Sequence, residues 1–259
     1  PTPRPAFSIN DTSQCFNGNS FDYTNNSIIK SGVLTYSWNL GDATTSTLQD
    51  ITHSYSVADT YTIKLLAQSA LGCIDSISRN VYVNPEPAAG FLLPDTAQCL
   101  KGNLFSFTNI SALASGNLSY NWNFGDGNTS TAKDPLHSYG KTDSFEVMLF
   151  ALTDFNCIDT FKKKVYTNPS PVADFSVNNN TQYLTYNKFS FKNNSVVSKG
   201  MNTYQWDFGD GNASFITDPD HVYTTADSFA VMLIASSDMG CRDTVKKTVY
   251  VLKPTFIAD

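Results

Sequence analysis

Tyr204-Gln205-Trp206-Asp207-Phe208-Gly209-Asp210-Gly211-Asn212 decides how the rest of the chain is read. Three aromatic rings at every second position belong to one face of an extended strand, because successive side chains of a strand point to opposite sides. Gly209 to Asn212 then supply residues that tolerate positive φ, which is what a tight turn after that strand needs. The stretch recurs upstream as Trp122-Asn123-Phe124-Gly125-Asp126-Gly127 and as Trp38-Asn39-Leu40-Gly41-Asp42-Ala43. The three tryptophans are the chain's only ones and stand 84 residues apart, and the same step carries His53 to His137 and His221, Tyr55 to Tyr139 and Tyr223, and Cys73 to Cys157 and Cys241.

An insertion-free period of this length exceeds most solenoid units and suits a small self-contained sandwich. Within a copy the two-residue alternation continues through Phe189 and Phe191, then Phe229, Val231 and Leu233, and no stretch keeps a helical stripe. The expected fold is therefore all-β, three tandem immunoglobulin-like sandwiches over residues 1–84, 85–168 and 169–259, the last with the start of a following linker or repeat. Ile257-Ala258-Asp259 echoes Val172-Ala173-Asp174, one residue out of register. The boundaries fall at Asn84-Pro85-Glu86-Pro87 and Asn168-Pro169-Ser170-Pro171, where alternate prolines favour an extended path over a flexible coil. These linkers predict a monomeric, elongated rod on the order of 100 Å long.

Composition narrows the function classes. With 41% apolar and 13% aromatic residues the 259-residue chain can build cores. A formal charge of −6, with no basic run, argues against nucleic acid or an anionic membrane as partner. No 18-residue apolar stretch exists to cross a bilayer. The opening Pro1-Thr2-Pro3-Arg4-Pro5, which has neither an initiator Met nor a signal peptide, reads as a piece of a longer protein.

Taken together with Asp134-Pro135-Leu136-His137-Ser138-Tyr139, with Phe145-Glu146-Val147-Met148-Leu149 and with Pro219-Asp220-His221-Val222-Tyr223, the Trp-turn stretches resemble the PKD (polycystic kidney disease) domain. The third copy fits the pattern best. The first departs from it, with Leu40 for Phe, Ala43 for the second Gly and Ile51 for Pro. The resemblance implies a β-sandwich without intrinsic catalysis, found in arrays on bacterial surface proteins and in secreted hydrolases. The placing of Cys15 and of Gly72-Cys73-Ile74-Asp75 is similar to that in very large cell-surface adhesins of gliding bacteria.

Cys15 and Cys73, like Cys99 and Cys157, lie 58 residues apart, and the third copy has Tyr183 opposite Cys241. The repeat thus predicts intradomain disulfides Cys15–Cys73 and Cys99–Cys157, with Cys241 a free thiol against the Tyr183 ring, and places the chain outside the cytoplasm. The alternative is five reduced cysteines serving as small apolar residues.

Each histidine recurs in every copy, which suits a structural role and not a single catalytic pocket. His53, His137 and His221 are expected to hold the Gly-Asp turn, and Trp38, Trp122 and Trp206 to fill the cores. No catalytic residues are assigned and no cofactor is required. Asp42, Asp126 and Asp210 cap their own turns, with Ca²⁺ binding as the weaker reading. The loops after Asn25, Asn109 and Asn193 carry Ile28, Ile29, Leu113, Val196, Val197 and Met201, either to bind a ligand or to fold back over the sandwich. The function expected is a non-catalytic spacer of a large bacterial surface adhesin, its neighbours being further repeats of the same protein. The other reading is a carbohydrate- or ligand-binding accessory module of a secreted hydrolase, bound to an extracellular glycan or protein.

Overall fold

The computed structural model describes residues Pro1–Pro254. Ile257 to Asp259 lie outside them. All regular structure among the described residues is strand. The first repeat holds β1 (Phe7–Ile9), β2 (Ser13–Cys15), β3 (Phe21–Asn25), β4 (Leu34–Asn39), β5 (Thr45–Ser46), β6 (Ile51–His53), β7 (Thr60–Ser69) and β8 (Ile74–Asn84). These form a three-stranded sheet, β1-β3-β6, and a five-stranded sheet, β2-β8-β7-β4-β5. Every pairing is antiparallel except β2 with β8, where Ser13 faces Tyr82 and Cys15 faces Asn84. That crossover of β2 to the opposite sheet sets the chemistry described below.

The second repeat holds β9 (Phe91–Leu92), β10 (Ala97–Cys99), β11 (Phe105–Ser106), β12 (Thr108–Asn109), β13 (Leu118–Asn123), β14 (Thr129–Ser130), β15 (Leu136–His137), β16 (Ser144–Thr153) and β17 (Ile158–Asn168). The third holds β18 (Phe175–Val177), β19 (Thr181–Tyr183), β20 (Phe189–Asn193), β21 (Asn202–Asp207), β22 (Ala213–Ser214), β23 (Asp220–His221), β24 (Ser228–Ser237) and β25 (Arg242–Leu252). Its sheets, β18-β20-β23 and β19-β25-β24-β21-β22, repeat those of the first. Contacts cluster in two units: Pro1–Leu93 with Phe107–Pro135 and Glu146–Lys163, and Pro94–Ser106 with Leu136–Phe145 and Lys164–Asp259.

Alternation puts the aromatic face of each Trp strand inward. In the first unit Trp38 is fully buried against Phe7, at 5.2 Å edge to face, and its indole Nε1 donates to the Leu48 carbonyl at 3.0 Å. Trp122, also fully buried, donates to Ala132 O. In the second unit Trp206 packs on Phe175 and Phe191 and donates to Ile216 O at 2.9 Å. A buried indole N–H without a partner is costly, so the same bond in all three copies accounts for Trp at this position better than Phe.

The turn after each Trp strand approaches its neighbour closely. A Cβ on Gly125 would lie 2.7 Å from the Glu146 carbonyl, and Gly125 has φ of 80°. The first copy keeps this turn with Ala43 at φ 72°, a left-handed conformation that costs a residue with a Cβ about 1 kcal/mol.

Candidate functional site: the junctions between repeats

Within each copy, buried polar contacts hold the hairpin to the neighbouring strands. His53 Nε2 lies 2.7 Å from Asp42 Oδ2, and His221 Nε2 lies 2.8 Å from Asp210 Oδ2. The remaining oxygen of Asp42 accepts from the Thr44 amide, and that of Asp210 from the Asn212 amide. Burial alone would push the Asp42 carboxyl up, but the bonds from His53 and Thr44 outweigh it and hold it below the usual carboxylate value. Asp210 is held low in the same way by His221 and Asn212. Asp126 accepts from the amide and the side-chain amide of Asn128. These carboxylates are thus occupied as turn caps. Below the turn, burial pushes the Tyr55 hydroxyl up to about 12, and that hydroxyl donates to Leu40 O at 2.8 Å.

A second anchor escaped the sequence reading. Asn19 is buried, donates from Nδ2 to the Phe16 and Tyr55 carbonyls, and accepts the Tyr55 amide at 2.7 Å. Asn103 and Asn187 repeat all three bonds. The signal was available, since an Asn recurs at the 84-residue step two positions before Phe21, Phe105 and Phe189. Asn19→Ala would orphan three buried backbone groups, and urea denaturation should show a loss of about 2 to 3 kcal/mol in the first repeat. A change within 0.5 kcal/mol would contradict this role.

The disulfides correct the sequence reading. Cys15 is bonded to Cys157 and Cys99 to Cys241, with Cα atoms 5.5 and 5.6 Å apart, and Cys73 carries the free thiol. The expected Cys15–Cys73 bond is excluded by strand geometry. Cys15 pairs beside Asn84, the last residue of β8, whereas Cys73 precedes Ile74, the first. An 11-residue strand at about 3.3 Å per residue separates these ends by roughly 33 Å, against the roughly 7 Å limit for a disulfide. The expected Cys99–Cys157 pairing fails likewise, Cys99 lying beside Asn168 at the far end of β17. Nor does Tyr183 stand against Cys241: it pairs with Leu252 at the other end of β25, and its ring is 55% exposed. Each bond therefore leaves one pole of a copy and enters the opposite pole of the next.

Around each bond the junction is built alike. The Asn17 amide donates to Glu86 in the first linker and the Lys101 amide to Ser170 in the second. The linker that follows is tied down by a carboxylate, with the Ala89 amide donating to Asp159 and the Ala173 amide to Asp243. Asp243 also pairs with Lys101 at 2.7 Å, and the Lys101 and Ala173 bonds hold its carboxyl below the usual value. Beside each linker lies a cleft, of about 270 Å³ in the first unit and about 290 Å³ in the second. Tyr82, Ser115 and Phe155 line the first where Tyr166, Lys199 and Met239 line the second.

The sequence-predicted loops are not drawn into these junctions as one surface. Ala88 bridges Ala112 and Val172 bridges Val196, fixing the loop backbones. Ile28, Val196 and Met201 remain exposed, whereas Ile29, Leu113 and Val197 are half-buried. Among the described residues, Cys15, Glu86 and Cys157 form a group with metal-ligand spacing, but two of the three are joined in the disulfide.

Comparison with known proteins agrees with this architecture. Residues 2–85, 84–167 and 168–252 each match the family model for the PKD domain. A pre-pro-metalloprotease, PrtV, of Vibrio cholerae serotype O1 (strain M66-2) is 34% identical over 88 residues, which is 34% of this chain and 9% of that protein. The chain therefore spans about a tenth of the length of the curated relatives it matches. Among solved structures, the PKD1 domain from the V. cholerae metalloprotease PrtV is 35% identical, covering 32% of this chain and 96% of that one (TM-score 0.29). The PKD1 domain of Vibrio anguillarum Epp is 25% identical, covering 32% and 94% (TM-score 0.29).

Proposed function

Because the chain belongs to the PKD domain family and carries three tandem copies of that domain, we propose that it is a non-catalytic extracellular spacer of a larger bacterial surface adhesin. It supports adhesion or the display of another domain. The observation that carries this reading is the placement of the disulfides between copies. A bond within a sandwich would stabilise that sandwich alone. A bond from the end of β2 to the β16–β17 turn bypasses the proline linker and gives tension a covalent route from one copy to the next. Such bonds persist in oxidising surroundings, which fits the outside of a cell.

One observation favours the rival reading, an accessory module that binds glycan or protein for a secreted hydrolase. Equivalent clefts lie at both junctions, each with a tyrosine and a larger apolar side chain on its wall. The two readings separate on an array of bacterial, plant and animal glycans probed with the whole chain. The spacer gives no saturable binding. Saturable binding that is lost in a Tyr166→Ala, Lys199→Ala chain would overturn it in favour of the accessory module.

A further inference from the structure

Cys73 sits in the turn between β7 and β8, in a setting its two counterparts share. The Cys73 amide donates to Ser69 Oγ at 3.1 Å and the Ser69 amide to the Cys73 carbonyl at 2.9 Å. Cys157 makes the same pair of bonds with Thr153, and Cys241 with Ser237. Both counterparts are bonded to the cysteine that ends the β2-type strand of the copy before them, and both are buried, at 1% and 0% exposure. Cys73, with no such copy against it, is only half-buried. The approach to it is also prepared. Pro1-Thr2-Pro3 stands in the register of Pro85-Glu86-Pro87 and Pro169-Ser170-Pro171, and Thr2 offers the hydroxyl that Ser170 uses to accept the Lys101 amide. One tie is missing, since Pro5 replaces Ala89 and Ala173 and has no N–H to give Asp75.

We propose that Cys73 is the covalent docking point for another copy of this repeat, taking a disulfide from the cysteine at the end of that copy's β2-type strand. The two thiols lose two protons and two electrons to an oxidising disulfide such as oxidised glutathione, which is released as two thiols. One thiolate attacks the oxidant to give a mixed disulfide, and the second displaces the remaining glutathione thiolate. The array is thus one-ended. Tyr183 occupies the donor position of the third copy, so this chain accepts such a bond through Cys73 and offers none from its third repeat.

The test joins two copies of residues 1–252 directly, Leu252 to Pro1, which preserves the repeat phase, with Tyr183→Cys in the first copy. The new thiol and Cys73 of the second copy are then 142 residues apart, as in both native bonds. After oxidation in a glutathione buffer, non-reducing peptide mapping should link position 183 to the second Cys73, with loss of that thiol's alkylation. The fusion retaining Tyr183 should leave both Cys73 thiols reactive. If the four native bonds form while position 183 and the second Cys73 stay free or pair elsewhere, the proposal is overturned. Should the native bonds fail to form, the single chain carrying Tyr183→Cys, oxidised at high concentration, decides. A disulfide-linked dimer mapping to Cys73 supports the proposal, and no dimer, or one through another cysteine, overturns it.

Discussion

Held by its two ends and stretched until every copy unfolds, the oxidised chain is expected to stop about 500 Å short of the reduced one. Each disulfide closes a loop of 142 residues, and at about 3.3 to 3.6 Å per residue that length is withheld from the extended path. The two loops overlap, because Cys99 lies inside the first and Cys157 inside the second. With both bonds in place, tension entering at Cys15 divides between two equal routes. One follows the chain to Cys99 and crosses to Cys241. The other crosses at once to Cys157 and follows the chain to Cys241, and each contains an 84-residue stretch. Removing either bond alone should therefore leave the final extension unchanged, since one route survives intact. Removing both should release the whole length in one step. Force spectroscopy on Cys15→Ser, Cys99→Ser and the double variant reads this directly. A single variant that extends by the full amount would show that the bonds do not act in parallel.

Much of the sandwich was legible because its signals are local and repeated. The Trp206 stretch alone gave strand, face and turn, and an 84-residue period then fixed three copies without a gap. The turn-holding histidines were legible for the same reason, as a side chain conserved in position across copies of one chain has a copy-internal use. The disulfides were misread because a repeat reports equivalence and not proximity. Cys15 and Cys73 belong to one copy, but β2 crosses to lie parallel to the end of β8, which places them at opposite poles. That crossover rests on a three-residue strand, too short to leave a periodic signal. The count of five was itself the clue. A set of bonds running from each copy to the next leaves one cysteine over at Cys73, and the loss of the donor at Tyr183 accounts for the missing sixth.

Trp206→Ala should cost the third repeat about 3 to 5 kcal/mol, the range for truncating a buried aromatic. The side chain is fully buried between Phe175 and Phe191, and its loss leaves both a cavity and the Ile216 carbonyl without its donor. A small domain holds roughly 5 to 15 kcal/mol in all, so the third repeat falls to the edge of unfolding. The first repeat should not follow. Its core, built on Phe7, Phe21, Tyr23 and Trp38, is a cluster separate from that of Phe175, Phe189 and Trp206. Hydrogen exchange read by mass spectrometry should then lose protection across β24 and β25 and keep it across β7 and β8. The disulfide enters here too. While Cys241 stays bonded to Cys99, the unfolded third repeat is closed into a loop with reduced entropy, and reduction should lower its stability further. A protection loss spreading equally to β7 and β8 would mean that the copies fold as one cooperative body, and the staples would then be secondary to packing in holding the repeats together.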